Sequence, residues 1–99
     1  MSESKSERNS VSFALGQVVA TQGAIQALEE AKQSYIGFLL RHQRGDWGVV
    51  CAEDWELNNQ AVKNETRLLS AYRTSKDERI WIITEADRSA TTLLLPEEY

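Results

Sequence analysis

The sequence predicts an α+β domain: a short N-terminal strand and two to three helices precede a three-stranded antiparallel meander. Three observations lead to this class. Apolar residues recur with helical spacing over residues 24–42, a stretch with an acidic start follows over 52–64, and the apolar period then changes to two. Helices followed by a run of strands predict helices packed on one face of a sheet.

Length and composition allow one ordinary core. The chain has 99 residues, of which 41% are hydrophobic and 26% charged, and this predicts a single domain over residues 12–99. Residues 1–11 contain few apolar side chains and are expected to form a disordered tail. The net charge of −4 argues against a protein that coats nucleic acid without selectivity.

The first half of the chain carries clear start and stop signals. β-Branched residues predict a strand over 16–20, and Thr21 follows as the N-cap of a helix. Ser34 is placed to cap a second helix, YIGFLLRHQ. The positions that this helix should bury are Tyr35, Phe38, Leu39 and His42.

Gly45 should stop the second helix, and a third helix is expected from about residue 52 to 64. This segment has carboxylates early and Lys63 late, an order that suits the helix dipole. The stretches RLLSAYRT, ERIWIITEA and SATTLLLP then predict the three strands of the meander, and Pro96 ends the last one. We expect this last strand at a sheet edge, where it could pair with a second copy.

Metal and thiol chemistry find little support in the sequence. One histidine and one cysteine cannot build a closed zinc site within the chain, so we expect no metal and no cofactor. The lone Cys51 is expected to be a small buried thiol, and it fits a reducing cytoplasm. No apolar run is long enough for a membrane span, so no membrane partner is expected.

His42 is the strongest catalytic candidate. Cleavage of RNA through its own 2′-hydroxyl needs a proton acceptor, a proton donor and a group that stabilises charge on phosphorus. A helical His42 facing Arg88 and the hydroxyls of Thr91 or Thr92 would supply these groups. The alternative is structural: a core histidine, an arginine in a turn, and threonines that favour a strand.

The stretch RHQRGDWG is the strongest binding candidate. Aromatic side chains beside arginines can stack on bases or dock on a protein. The residues that we assign to this binding surface are Arg41, Arg44, Asp46, Trp47 and Arg73. Trp47 has two interpretations, a plug in the core or an anchor at the surface.

Four stretches, LGQVVAT, FLLRHQRGDWG, LLSAYRT and WIITEADRSATTLLLPEEY, resemble a family of small bacterial proteins carried on plasmids and other mobile elements. The resemblance covers residues 13–99. It implies a mobile-element protein and does not imply an activity. A second resemblance, in element order, is to the barnase/EndoU/colicin E5/RelE-like class of metal-independent ribonucleases. It implies His42, Arg88 and Thr91 or Thr92 as the active constellation.

Two functions therefore stand side by side. One is a toxin-like, metal-independent ribonuclease with RNA as its partner. The other is a non-catalytic accessory, regulatory or anti-defence factor that binds a host or partner protein. A homodimer formed through a sheet edge is a further expectation.

Overall fold

The computed structural model describes residues 13–99, and the expected tail at 1–11 lies outside the described residues. The order of elements is strand, three helices, three strands and a short 3₁₀ turn. They are β1 (Gln17–Ala20), α1 (Gln22–Ala31), α2 (Tyr35–Gln43), α3 (Ala52–Asn64), β2 (Leu68–Arg73), β3 (Arg79–Thr84), β4 (Ala90–Leu94) and the turn Pro96–Glu98. The predicted α+β class is confirmed.

The four strands form one mixed sheet in the order β1-β4-β3-β2. The meander of β2, β3 and β4 is antiparallel, as predicted. β1 pairs with β4 in parallel, with Val18 opposite Thr91. A parallel pair needs a long crossover, which the helices between β1 and β2 help to supply. The expectation that the last strand forms an edge is wrong: β4 is interior, and among the strands within residues 13–99 the edges are β1 and β2.

Local signals fix the ends of the helices. The side chains of Thr21 and Ser34 accept backbone N–H bonds at the starts of α1 and α2, both at 3.1 Å. Gly45 follows α2 with φ +87°, in the left-handed region that favours glycine. Cys51 caps α3 and is exposed, so the expectation of a buried thiol is wrong.

α1 and α2 cover one face of the sheet, as expected. The main core lies between these two helices and the sheet. It consists of Ala24, Ala27, Leu28, Phe38, Leu39, Tyr72, Ile80, Ile82 and Leu93. Tyr35 is 48% exposed instead of buried, because it stands in the first turn of α2, outside this contact. No helix in the described part of the chain is long and apolar enough to cross a bilayer.

α3 lies beside the edge of β2. The amide of Asn58 bonds both the N–H and the carbonyl oxygen of Leu69, at 3.2 and 2.8 Å. Ala61 joins Phe13, Trp47 and Leu68 in a second apolar cluster. Two members of this cluster, Phe13 and Trp47, pack against His42 near the end of α2.

Candidate functional site

His42 lies in the last turn of α2 and is fully buried, with 0% of its surface exposed. It occupies the same helical face as Phe38 and Leu39, which the periodicity predicted. The helix directs this face at the sheet, so the imidazole contacts β2 and β3 directly and is linked to β4 through Thr84. The predicted approach of a helical imidazole to strand hydroxyls is therefore present, inside the core.

Both ring nitrogens of His42 bond side-chain hydroxyls. Nδ1 lies 2.5 Å from Ser70 Oγ on β2, and Nε2 lies 2.9 Å from Thr84 Oγ1 on β3. Thr84 Oγ1 lies 2.8 Å from Thr91 Oγ1 on β4, and Thr91 donates to the carbonyl oxygen of Leu15 at 2.7 Å. These hydroxyls are also fully buried. We call these five residues the histidine network.

The Leu15 carbonyl fixes the directions of the hydrogen bonds from Thr91 through Thr84 to Nε2 of His42. A carbonyl oxygen only accepts, so the single hydroxyl proton of Thr91 points at Leu15. Thr84 must then donate to Thr91 and accept from Nε2–H of His42. Nε2 of His42 therefore carries a proton. In a neutral ring this is the only ring proton, so Nδ1 then accepts from the hydroxyl of Ser70. The neutral form is thus the Nε2–H tautomer, in which each side chain of the histidine network has a hydrogen-bond partner.

The surroundings oppose protonation of this ring. Burial lowers the pKa of His42 to about 4, and the positive charge of Arg88 acts in the same direction. A second ring proton at Nδ1 would also displace the hydroxyl proton that Ser70 donates there. His42 is thus held in its neutral form at neutral pH.

Two aromatic rings complete the enclosure of His42. Phe13 and Trp47 both meet the imidazole edge-on, with ring centroids at 5.2 and 5.7 Å. Trp47 is 1% exposed, and its Nε1–H donates to Asn59 on α3 at 2.9 Å. The interpretation of Trp47 as a core plug is the one that the structure supports.

Arg88 is half-buried and turned towards backbone carbonyls. Its guanidinium donates to the carbonyl oxygens of Ala61, Thr66, Glu85 and Ala86, at 2.8–3.1 Å. The ring of Phe13 packs against this guanidinium at 5.6 Å and against His42 on another side. A phosphate clamped by Arg88 would have to replace these carbonyls, which end α3 and line the turn before β4.

The two candidate threonines lie on opposite faces of β4. Thr91 faces the helices and belongs to the histidine network, whereas Thr92 is half-buried on the other face, opposite Ile83. The hydroxyl of Thr84 therefore bridges His42 and Thr91, whereas Thr92 lies on the other face of the sheet. In the described part of the chain, neither the imidazole nor the hydroxyl-bearing residues bonded to it have any surface exposed to solvent.

The predicted binding residues divide into a tight corner and two separate arginines. Arg41 Nε donates to Asp46 at 2.7 Å and its guanidinium lies 4.7 Å from the Tyr72 ring. Tyr72 donates its hydroxyl to the backbone carbonyl of Asp46 at 2.6 Å. The bond from Arg41 lowers the pKa of Asp46. These contacts hold the corner after α2, so their first role is structural.

Arg44 and Arg73 are exposed, and Arg73 lies 3.5 Å from Asp77 in the turn after β2. Gly48 allows the corner to approach β2: its φ is +82°, and a Cβ there would lie 1.9 Å from the Ala71 carbonyl oxygen. The segment RHQRGDWG is thus a helix end that docks against the sheet.

Sequence reasoning missed Ser70 and Leu15 as partners of the histidine. Ser70 had a readable signal, because it interrupts the apolar face that Leu68 and Tyr72 continue with period two. Leu15 had none, since it contributes a backbone oxygen. Within residues 13–99, no group of three or more histidine, cysteine or carboxylate side chains could hold a metal ion.

No protein-family model, curated protein or solved structure matches this chain. The resemblance to mobile-element proteins and the fold-level resemblance to ribonucleases therefore stay predictions that rest on the sequence motifs and element order.

Proposed function

We propose that this protein is a non-catalytic protein-binding factor that accepts an extended partner segment at the edge of β1. The single observation that carries the proposal is a contrast between the two edges of the sheet. Within residues 13–99, the chain's own groups close the edge at β2 and leave the edge at β1 unpaired.

The β2 edge is closed by hydrogen bonds from two directions. Asn58 bonds both backbone groups of Leu69. Ala71 donates to the carbonyl oxygen of Trp47 at 3.1 Å and accepts from the N–H of Val49 at 2.7 Å. A partner strand at this edge would have to displace both sets of bonds.

Among residues 13–99, the β1 edge has backbone groups without a hydrogen-bond partner. The backbone N–H groups of Gln17 and Thr21 point towards β4. They donate to the carbonyl oxygens of Ser89 and Leu93, both at 3.0 Å. Along a strand, the backbone N–H and C=O groups of successive residues point to opposite sides. Because those of Gln17 and Thr21 point towards β4, those of Val18 and Ala20 point away from it. Among the described residues no hydrogen bond to these groups is present, and all four β1 residues are exposed.

Natural sheets usually protect an exposed edge with charges, proline or a bulge. The sequence of β1, QVVA, has neither charge nor proline, and its pairing with β4 has no bulge. Such an edge supports recognition by strand addition, in which backbone bonds supply affinity and alternate side chains supply specificity. The proposed place of action is the cytoplasm, where the exposed Cys51 would stay reduced.

The ribonuclease hypothesis receives less support from the same geometry. A general base must come within hydrogen-bond reach of a substrate hydroxyl, but the reach of His42 is filled by Ser70 and Thr84. The burial that lowers its pKa also separates it from any phosphate in solvent. We therefore prefer the binding function.

Site-specific photo-crosslinking in bacterial cells tests the proposal. A photoreactive residue in place of Gln17 should form one defined crosslinked product with the protein that binds at the β1 edge. Val18→Pro should abolish that adduct. The proline removes only an N–H that points away from β4, so the sheet should remain folded. A photoreactive residue in place of the exposed Glu53 on α3 is the matched control.

An adduct from position 53 but not from 17 would overturn the proposal, as would an adduct at 17 that survives Val18→Pro. Induction of the wild-type protein should also leave cellular RNA intact. RNA cleavage that is lost on His42→Gln would reinstate the ribonuclease.

A further inference from the structure

We propose that the segment accepted at the β1 edge is β1 of a second copy of this chain, paired antiparallel about a two-fold axis at Val19. This inference rests on the proposed function and names its partner. It is carried by the positions of the outward backbone groups of Val18 and Ala20, which have no partner within residues 13–99 and flank Val19 symmetrically.

The backbone of β1 is complementary to itself in this arrangement. Each copy offers two N–H donors and two carbonyl acceptors, one of each at Val18 and at Ala20. In an antiparallel ladder, opposed residues of a hydrogen-bonded pair exchange both bonds. Val18 would pair with Ala20 of the second copy, and Ala20 with Val18 of the second copy. The resulting four bonds satisfy every outward backbone group of the two residues, with none left over.

The side chains of β1 fit the same arrangement. Val19 would oppose Val19 of the second copy in the closer, non-hydrogen-bonded kind of pair, where side chains touch. It is 41% exposed in the single chain, so this contact removes apolar surface from water. The net charge of −4 would oppose association of two copies, but no charged residue stands within β1 itself. Repulsion between charges elsewhere on the surface is screened by salt.

The size of the contact predicts a weak and reversible dimer. Stable interfaces bury about 1,200–2,000 Å² in total, more than two four-residue strands supply. The pairing is isologous, with the same surface used on both copies, so it closes at two chains and does not extend into a fibre. The two sheets would join into one continuous sheet of eight strands.

Charge swaps at Val19 test the inference, because the two-fold axis places position 19 opposite itself. Sedimentation velocity of the full-length wild type should show a dimer that increases with concentration. Val19→Lys and Val19→Glu should each raise the dissociation constant about tenfold, since like charges then oppose each other. An equimolar mixture of the two variants should restore association as a heterodimer. Val49→Lys, at another exposed valine, is the matched control and should dimerise like the wild type.

Amide hydrogen exchange provides a measurement that does not depend on a variant. Exchange at Val18 and Ala20 should slow as concentration rises, whereas exchange in the turn around Lys76 should not change. A far-ultraviolet spectrum like that of the wild type verifies that each variant folds.

Three results would overturn the second-copy assignment: a wild type that stays monomeric to millimolar concentration, a dissociation constant that Val19→Lys leaves unchanged, or a mixture of the two variants that stays dissociated. If the photo-crosslink at position 17 then captures a different protein, the binding function stands and only its partner changes. If that crosslink captures nothing, the proposed function fails as well.

Discussion

Both ring nitrogens of His42 form hydrogen bonds with hydroxyl groups, and the carbonyl oxygen of Leu15 determines that Nε2 is a donor. The consequence at the residue scale is a buried polar chain in which every member is satisfied. Such a chain joins α2 to three strands with defined geometry, and it is costly to leave incomplete. The histidine thus orients the helix on the sheet.

The buried imidazole should make stability depend on pH. The pKa of His42 is lowered from 6.5 to about 4 in the folded protein, so the unfolded chain takes up a proton first as the pH falls. The contribution of His42 is fully present above pH 6.5 and is lost as the pH falls towards 4. The total loss should be about 3 kcal/mol in the free energy of unfolding. Denaturant unfolding at a series of pH values measures it.

The single histidine makes this prediction easy to isolate. His42→Gln should remove most of the pH dependence between about 6.5 and 4.5, a window chosen to lie above most carboxyl titrations. Nitrogen NMR of the wild type should show the Nε2–H tautomer. A folded-state pKa at or above 6.5 would contradict the network.

At the scale of elements, α1 and α3 are each followed by a non-glycine residue in the left-handed conformation. Lys32 follows α1 with φ 56°, and Glu65 follows α3 with φ 57°. Both residues adopt the left-handed conformation that costs a side-chain-bearing residue roughly 1–2 kcal/mol and costs glycine little. The cap bonds are nevertheless made, as Lys32 N–H reaches the Glu29 carbonyl oxygen at 3.1 Å.

Glycine at either cap should therefore stabilise the protein. Lys32→Gly and Glu65→Gly should each raise the free energy of unfolding by about 0.5–1 kcal/mol, because the strain relieved exceeds the entropy added to the unfolded chain. Thermal unfolding measures the change. Lys63→Gly, inside α3, is the control and should lower stability by a similar amount. Destabilisation by both cap variants would show that these side chains contribute more than the strain costs.

Arg88 acts at the scale of the whole molecule. Its guanidinium bonds carbonyl oxygens at the end of α3, before β2 and in the β3–β4 turn. A cation near the C-terminal end of α3 also suits the helix dipole. One side chain therefore ties the β3–β4 turn to the segment between the end of α3 and the start of β2, which lies 22 to 27 residues earlier in the sequence.

Arg88→Lys should lower the free energy of unfolding by about 2 kcal/mol. Lysine keeps the positive charge and the strained backbone at φ 62°, but it cannot donate to carbonyls in several directions. The exposed Arg73→Lys is the matched control and should change stability by less than about 0.5 kcal/mol. Chemical denaturation of both variants measures these changes in the free energy of unfolding. Equal effects at the two positions would contradict the role assigned to Arg88.

The sequence by itself determined the α+β class, the order of its elements, the caps at Thr21 and Ser34, and the helical face that carries His42. These features depend on neighbours within about four residues, so periodicity and capping chemistry reveal them. Ser70 and Thr84 were visible as polar positions on strands, but not as partners of one imidazole.

Only the tertiary structure decided three matters: the parallel pairing of β1 with β4, the burial of His42, and which sheet edge remains open. Each depends on contacts between segments far apart in the chain, such as Val18 with Thr91. Strand patterns do not encode the partner or the direction of such pairing. The same histidine and threonines suit a catalytic cleft or a core in which every polar group is bonded, and the packing of Phe13 and Trp47 against His42 places it in the core.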